Sequence, residues 1–336
     1  MDRPAPDTPA SSPAMFSGLR PVRTLCMLTI VAYHVRWTEG QAPEPLMGVS
    51  FGLNTLQIIL CALVARGVRE PAAGPFFARR TRRLLRPWII WSGVYIAVKV
   101  AQSVRYGRPW SDQLEPSMWL YGGSYHLWFL LYGLAASAFA LVYTRACRGE
   151  RALAGALVAA TLGAVALLFG QVSQQLLQPI APLDLWLDGL PAVLFGVAIG
   201  RSLSIQDPGR RRLLFLLFSA LAVLPLLLGS HLAPESQLWA RYAVAVPLAC
   251  AGFALRAPEL PLLTWLAERN MGVYVVHVLA IQVVDRTGGL GSAGDLMRIL
   301  SVYALSIGIV SGLDRVGRLL AGRRPEGSTR SPATVS

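Results

Sequence analysis

The sequence predicts an all-α integral membrane protein, a polytopic bundle of about ten transmembrane helices with both termini in the cytoplasm. Of the 336 residues, 54% are hydrophobic and 15% are charged, whereas soluble domains usually carry about 25% charged residues. Apolar stretches of roughly the length that crosses a bilayer as a helix recur along the chain, and none alternates as a strand does. This combination argues against a soluble protein.

Ten candidate spans follow one another between two polar tails. We expect residues 1–17 and 322–336 to be disordered tails that flank one membrane domain over residues 18–321. The first span contains only a short uninterrupted apolar stretch. An uncleaved signal-like segment is therefore an alternative interpretation of this part of the chain. Two charged residues precede the ninth span. Because they separate it from residues 261–267, we expect that segment to lie along the membrane interface. The spans are predicted at residues 21–38, 46–66, 87–103, 124–144, 152–172, 184–200, 213–230, 238–255, 270–286 and 296–313.

The distribution of arginine determines the predicted orientation. The formal net charge is +13, and the 31 basic residues include a single lysine, Lys99. With the N-terminus in the cytoplasm, 24 of the 31 basic residues fall on the cytoplasmic side, while the acidic residues divide nine and nine. This is the positive-inside pattern. Because orientation in a bilayer accounts for the excess charge, the lipid bilayer is an expected partner and nucleic acid is not.

Three further features are interpreted as non-catalytic. The four cysteines lie in or beside apolar stretches, too far apart in sequence for a zinc knuckle or a redox pair, so we expect packing residues and no metal site. Residues 289–294 fit G-x-G-x-x-G but lack the βαβ unit of a dinucleotide site. Residues 48–52 fit G-x-S-x-G, yet they open a helix instead of ending a strand, which disfavours Ser50 as a nucleophile.

A cluster of five arginines precedes the third span. It consists of Arg79, Arg80, Arg82, Arg83 and Arg86. All of them except Arg80 recur at i, i+3, i+4 and i+7, which places four guanidinium groups in one stripe of a helix. Such a stripe suits a polyanion, for example the phosphates of a nucleotide. The alternative is topological anchoring combined with binding of anionic lipids, and the spacing by itself leaves both open.

Two histidines are predicted inside the membrane, where ionisable residues are costly and usually functional. His34 follows Arg23, at the inner interface, by eleven residues, or about 16 Å of helix. His277 follows Arg269 by eight residues, or about 12 Å, so the two imidazoles can share one level of the bundle. His126 begins the fourth span and is expected at the outer surface. Imidazole suits general-base chemistry; the alternative is that each ring is a hydrogen-bonded interior residue.

Five segments, taken in order, resemble motifs of the membrane acyltransferase-3 family. They are Arg23 with His34 for the first-span motif, 79–87 for the cytoplasmic R-x-x-R motif, 123–130 for the HLWFL segment, 195–201 for the F-x-x-G turn and 270–277 for the late Y-x-x-H. The chain departs from the family pattern at Arg20, where an acidic residue is usual, and at residues 56–58, where S-G-F is absent.

The resemblance implies a multi-pass O-acyltransferase of the bacterial inner membrane. An acyl group, often acetyl, would pass from cytoplasmic acyl-CoA, a donor substrate and not a permanently bound cofactor, to a hydroxyl of an extracytoplasmic carbohydrate or glycosylated small molecule. The arginine cluster would hold the CoA phosphates. His34, Arg23 and His277 would be catalytic, and His126 and Trp128 would contact the acceptor. His34 could act as a general base or be acylated itself, and His277 could assist or only orient His34.

Two other functions are compatible with the helical pattern. A transporter or flippase of a lipid-linked or acyl substrate would need charged pairs along a path, and only Asp184 and Asp188 approach the interior of a span. A receptor or sensor would use the histidines only structurally. The acceptor, the acyl group and the oligomeric state follow from no pattern in the sequence.

Overall fold

The computed structural model describes residues 16–37, 51–67, 73–147, 149, 151–176, 182–229, 237–286 and 294–321. Every regular element in these ranges is a helix, so the prediction of an all-α protein is confirmed for this part of the chain. Ser50 and residues 289–293 of the glycine-rich loop lie outside the described residues, as do both predicted tails beyond Phe16 and Ala321.

Ten long helices make up the bundle within the described ranges. They are α1 (Leu19–Trp37), α2 (Phe51–Gly67), α3 (Ala73–Arg105), α5 (Trp128–Ala146), α6 (Arg151–Leu176), α7 (Leu183–Ser202), α8 (Pro208–Gly229), α9 (Gln237–Ala254), α10 (Pro261–Arg286) and α11 (Gly294–Ala321). The short helix α4 (Met118–Tyr121) lies between two 3₁₀ turns, Trp110–Gln113 and Tyr125–Leu127.

Six of these described helices are long and apolar enough to cross a membrane: α3, α5 with its preceding 3₁₀ turn, α6, α7, α8 and α11. Helices α2 and α9 are shorter apolar helices. A membrane protein is therefore indicated by the described part of the chain. Ten spans and cytoplasmic termini stay predictions.

Two predicted boundaries are wrong. Residues 261–267 form the start of the continuous helix α10 instead of a separate interfacial segment. Residues 195–201, which resemble a turn, lie inside α7. The arginine cluster, predicted on a helix just before the third span, lies in α3 together with that span. The common reason is that a helix satisfies its own backbone groups and can therefore continue through a change from polar to apolar side chains.

The end of the predicted N-terminal tail is also structured. The Ser17 hydroxyl accepts a hydrogen bond from the Ala257 backbone N–H at 3.0 Å. The Phe16 ring packs edge-on against Phe253 with 5.5 Å between ring centroids. The Arg66 guanidinium carbon lies over the Phe16 ring, 4.3 Å from its centroid. Tertiary contacts thus order these two residues, although their local sequence has no helical periodicity.

Helices α1 and α2 each pack against several other helices of the bundle. Helix α1 packs against α2, α9, α10 and α11, and α2 packs against α1, α5, α7 and α9. Close approach of α2 and α7 depends on glycine: a Cβ on Gly196 would lie 2.6 Å from the Cys61 Cβ, and one on Gly200 would lie 2.5 Å from the Ala62 carbonyl oxygen. Small residues of this kind let membrane helices pack backbone to backbone.

A tyrosine from α9 supports α7 next to a proline. Pro191 has no backbone N–H and interrupts the hydrogen bonding of α7. The fully buried Tyr242 hydroxyl accepts a hydrogen bond from the Ala192 N–H at 3.1 Å and donates one to the Asp188 carbonyl at 2.6 Å. Helix α9 therefore positions Asp188 and the adjoining Gly189.

Candidate active site

Three histidines meet in the interior of the bundle. The ring centroid of His277 lies 4.7 Å from that of His34 and 5.0 Å from that of His126, and the His34 and His126 centroids are 6.3 Å apart. His126 is 4% exposed and His277 is fully buried. The sequence placed His34 and His277 at one level, and the structure brings these rings into contact.

The interior position of His126 corrects the expectation of a surface residue. Its ring arrives from the turn before α5, where Gly122 adopts φ +86° and a Cβ on Gly123 would overlap the Ser92 carbonyl oxygen of α3. The glycines let this turn lie directly against α3. The turn then carries the His126 ring into the cluster, and its Nδ1 lies 2.9 Å from the Ser124 hydroxyl oxygen.

Backbone carbonyls define which nitrogen of two rings carries the proton. His34 Nδ1 lies 2.9 Å from the Ile30 carbonyl oxygen, and His277 Nδ1 lies 2.7 Å from the Tyr274 carbonyl oxygen. Because a carbonyl only accepts, each Nδ1 must donate its proton. The neutral rings of His34 and His277 therefore keep an acceptor lone pair on Nε2, which is the form a general base or nucleophile needs.

His34 opens onto a cavity that we call the histidine cavity, with a water-accessible volume of about 80 Å³. The His34 side chain is partly exposed there, whereas His277 lies behind it and does not line the cavity. The described lining consists of Ile30, Tyr33, His34, Leu53, Asn54, Gln57, Tyr125, His126, Trp128, Leu185, Asp188, Gly189, Arg241 and Tyr274. A small group that enters this space can thus meet the His34 side chain.

A second cavity, the arginine cavity, has a water-accessible volume of about 180 Å³. Arg23 of α1 and Arg80 and Arg83 of α3 line it, and the Arg23 guanidinium donates to the Ala267 carbonyl of α10 at 3.0 Å. No acidic side chain occurs in the described lining, whose other members are Leu56, Ile59, Leu60, Leu63, Leu84, Phe129, Asn270, Met271 and Tyr274. The cavity therefore carries a strong positive charge.

Tyr274 lines both cavities and separates them. Its hydroxyl donates to the backbone carbonyl of His126, and its ring packs against Phe129 at 5.3 Å between centroids. Nearby, the Tyr95 hydroxyl of α3 donates to the Val275 carbonyl at 2.9 Å. These bonds hold α10, which carries Tyr274, against α3 and the turn before α5.

Several buried polar atoms around the two cavities have no hydrogen-bond partner among the described residues. They are Arg80 Nε and both amide atoms of Asn270 at the arginine cavity, and Gln57 Oε1 and His126 Nε2 at the histidine cavity. Buried polar groups are nearly always paired in folded proteins. Unpaired groups clustered around cavities are therefore expected to meet a ligand or water.

The predicted site residues differ in where the structure places them. Of the five clustered arginines only Arg80 and Arg83 line the arginine cavity, and Arg79, Arg82 and Arg86 are exposed elsewhere on α3. Arg80 was in the predicted CoA-binding cluster but not in the predicted stripe, because the stripe assumed a single binding face and could not include the contribution of α1. His34, His126 and Trp128 line the histidine cavity. Within the described residues, no three His, Cys, Asp or Glu side chains are arranged to hold a metal ion.

The sequence interpretation assigned no site role to Asn270, Gln57 or Tyr274, although Tyr274 is the tyrosine of the Y-x-x-H segment. On α10, Asn270, Tyr274 and His277 stand at i, i+4 and i+7, which places them on one face of the helix. This spacing and the presence of carboxamides within apolar helices were available signals. The burial of these carboxamides, with Asn270 only 4% and Gln57 only 1% exposed, was not visible in the sequence.

Comparison with known families decides the identity. A family model described as an acyltransferase domain, that of acyltransferase-3, matches residues 17–313 and thus most of the chain. The chain belongs to the acyltransferase-3 family. Family membership makes it a membrane acyltransferase in general terms. No curated protein and no solved structure matches this acyltransferase-3 protein significantly.

Proposed function

We propose that this acyltransferase-3 protein is an O-acyltransferase of the inner membrane. It moves an acyl group, most simply acetyl, from cytoplasmic acyl-CoA to a hydroxyl of an extracytoplasmic carbohydrate-like acceptor. The observation that carries the proposal is the pair of cavities with different chemistry that share Tyr274 as a wall. One cavity suits an anionic donor, and the other presents an imidazole for transfer.

The arginine cavity supports an acyl-CoA donor. Three guanidinium groups converge there without an acidic side chain in the described lining. Guanidinium forks bind phosphate oxygens with paired, charge-assisted hydrogen bonds. CoA carries phosphates at one end and a thioester at the end of a flexible arm. Phosphates bound by Arg23, Arg80 and Arg83 leave that arm free to extend past Tyr274 towards His34.

In the proposed transfer, the acceptor hydroxyl gives its proton to His34 Nε2 as its oxygen attacks the thioester carbonyl carbon. The carbon–sulfur bond then breaks, the new ester is released, and the proton passes to the departing CoA thiolate. His277 packs against His34 and orients it. The alternative route, acylation of His34 itself, would leave an acyl-imidazole that mass spectrometry of the intact protein detects when donor is supplied without acceptor.

The remaining lining of the histidine cavity supports a hydroxylated acceptor. Tyr33, Tyr125 and Trp128 supply aromatic surface, and Gln57 supplies a carbonyl oxygen without a partner among the described residues. Amphipathic aromatic rings and hydrogen-bonding groups together suit a sugar, which has both polar hydroxyls and apolar ring faces. The small volume admits one hydroxyl-bearing group beside His34, with the rest of the acceptor outside.

The principal test compares the wild type with His34→Ala and with Tyr303→Phe as a control, expressed to equal levels in the host membrane. Acetyl esters on envelope glycans and secreted metabolites are measured by mass spectrometry. We expect His34→Ala to lower acetylation by roughly 10²- to 10⁴-fold, the usual contribution of a positioned base. Tyr303 lines neither cavity, and its variant should match the wild type. Unchanged acetylation in His34→Ala would contradict the proposal.

A second test separates cavity binding from simple anchoring by the arginine cluster. Arg83→Ala removes a charged phosphate ligand and should raise KM for acetyl-CoA roughly tenfold. Arg82→Ala removes an equal charge from the same helix but from outside the cavity, and its effect should be clearly smaller. Equal effects of the two variants would favour anchoring. The measurement is release of free CoA thiol by purified protein at varied acetyl-CoA.

A transporter of an acyl or lipid-linked substrate is the second candidate function. It is favoured by one observation, that Asp188 and Arg241, which carry opposite charges, both line the histidine cavity. Protein reconstituted in vesicles with acetyl-CoA outside distinguishes the two. An acyltransferase releases CoA thiol in step with acceptor acetylation, whereas a transporter moves its substrate with the thioester intact.

A further inference from the structure

The side chain of Asn270 stands out among the buried polar groups of the protein. It is 4% exposed, it lines the arginine cavity, and neither its Oδ1 nor its Nδ2 has a hydrogen-bond partner among the described residues. Leaving a buried polar atom unpaired destabilises the folded state. A native helix that buries an unpaired carboxamide beside a cavity is therefore expected to use it on a ligand.

The position of Asn270 indicates which part of a ligand it meets. It lies on the same face of α10 as Tyr274 and His277, one turn before the first and about 10 Å along the helix from the second. Arg80, whose Nε is also unpaired, lines the same cavity. Arg23 donates to the Ala267 carbonyl, three residues before Asn270 on α10, so along this helix Asn270 stands between that guanidinium and Tyr274.

We infer that Asn270 binds the pantetheine arm of the donor through its secondary amides. This inference rests on the proposed acyl-CoA donor and adds a specificity-determining residue to it. The arm contains two amide groups, each with one N–H donor and one carbonyl acceptor, and a carboxamide offers the complementary acceptor and donors. Phosphates pair with the arginines, amides pair with Asn270, and the thioester extends past Tyr274. An acyl donor without amides loses this recognition.

Binding to the purified full-length protein tests the inference without any acceptor. The probes are CoA, pantetheine, which is the arm without nucleotide, and adenosine 3′,5′-bisphosphate, which is the nucleotide without the arm. Each is added to the wild type, Asn270→Leu and Arg83→Ala, and the rise in thermal unfolding midpoint reports binding, since a ligand that binds only the folded state stabilises it. Leucine has a similar size and removes both unpaired atoms, so Asn270→Leu should fold at least as stably as the wild type.

The expected result is a reciprocal pattern. Asn270→Leu should weaken pantetheine and CoA binding roughly 3- to 10-fold and leave the bisphosphate unchanged, whereas Arg83→Ala should weaken the bisphosphate and CoA and leave pantetheine unchanged. If CoA stabilises the wild type and Asn270→Leu equally, the inference is overturned while the donor proposal stands. If neither CoA nor the bisphosphate stabilises the wild type, the acyl-CoA donor itself is overturned.

Turnover with shortened donors provides a second measurement. S-acetylpantetheine has two amides, S-acetyl-N-acetylcysteamine has one, and S-acetylmercaptoethanol has none. Relative to the wild type, Asn270→Leu should lose roughly 3- to 10-fold in kcat/KM with the first and nothing with the last. An equal loss with all three thioesters would mean that Asn270 only maintains the shape of the site, which contradicts its role in recognising amides.

Discussion

The hydroxyl of Tyr242 offers the sharpest test of how the site is supported. It bridges the Ala192 N–H and the Asp188 carbonyl of α7 next to Pro191, at 3.1 Å and 2.6 Å. Tyr242→Phe removes one oxygen and leaves both backbone groups without this partner. A buried group that loses its partner costs about 1–3 kcal/mol, and the two groups stand at i and i+4, so they can partly pair with each other. We therefore expect a total loss of about 1–3 kcal/mol.

Tyr303→Phe is the matched control, because the Tyr303 hydroxyl on α11 is buried and has no hydrogen-bond partner among the described residues. Removing that oxygen should leave the free energy of unfolding unchanged or slightly raised. Unfolding of the two variants and the wild type is followed by tryptophan fluorescence in mixed micelles at increasing denaturant. Acetyl-CoA turnover should also fall only in Tyr242→Phe, since Asp188 and Gly189 line the histidine cavity. Equal stability of the two variants would refute the reasoning.

Two other substitutions, the first with a matched control, test the packing of α2 against α7 and the wall between the cavities. A Cβ on Gly196 would lie 2.7 Å from the Ile58 carbonyl oxygen, so Gly196→Ala should destabilise the protein by about 1–3 kcal/mol. Gly308→Ala, with nothing within 4 Å, should be neutral or stabilising by up to about 1 kcal/mol; a higher thermal midpoint for Gly196→Ala than for Gly308→Ala would disprove this. Tyr274→Phe removes the hydroxyl that donates to the His126 carbonyl. We expect slower acetyl-CoA turnover with unchanged binding of adenosine 3′,5′-bisphosphate, and a loss of that binding would show that the two cavities are not independent.

Much of the fold could be predicted because it depends on local properties. Apolar stretches predicted the helices, and Arg23 and His34, which the sequence placed in the first span, both lie in α1. The helix boundaries were harder to predict. Helix α10 begins at Pro261 and continues through a polar segment, and sequence patterns treat such a segment as a break between helices. Phe16 was missed for the opposite reason, because only contacts with distant residues order it.

The histidines illustrate where sequence reasoning ended. Counting residues from charged positions placed His34 and His277 at one level, since the rise of a helix is nearly constant. The same counting left His126 at the surface, because the turn at Gly122 and Gly123 changes the direction of the chain. A glycine with positive φ breaks any extrapolation along a helix axis.

By itself, the sequence determined that the chain is hydrophobic, arginine-rich and helical, with family motifs in order. Composition, hydropathy and helical rise are properties of consecutive residues and can be read from the sequence. Only the tertiary structure decided that Arg80 and Arg83 join Arg23 while their neighbours do not, and that Asn270 is buried without a partner. The lining of a cavity depends on how each helix is rotated about its axis and on which helices surround it. Those quantities arise from packing between distant segments, such as the close contact of α2 with α7, and no local pattern encodes them.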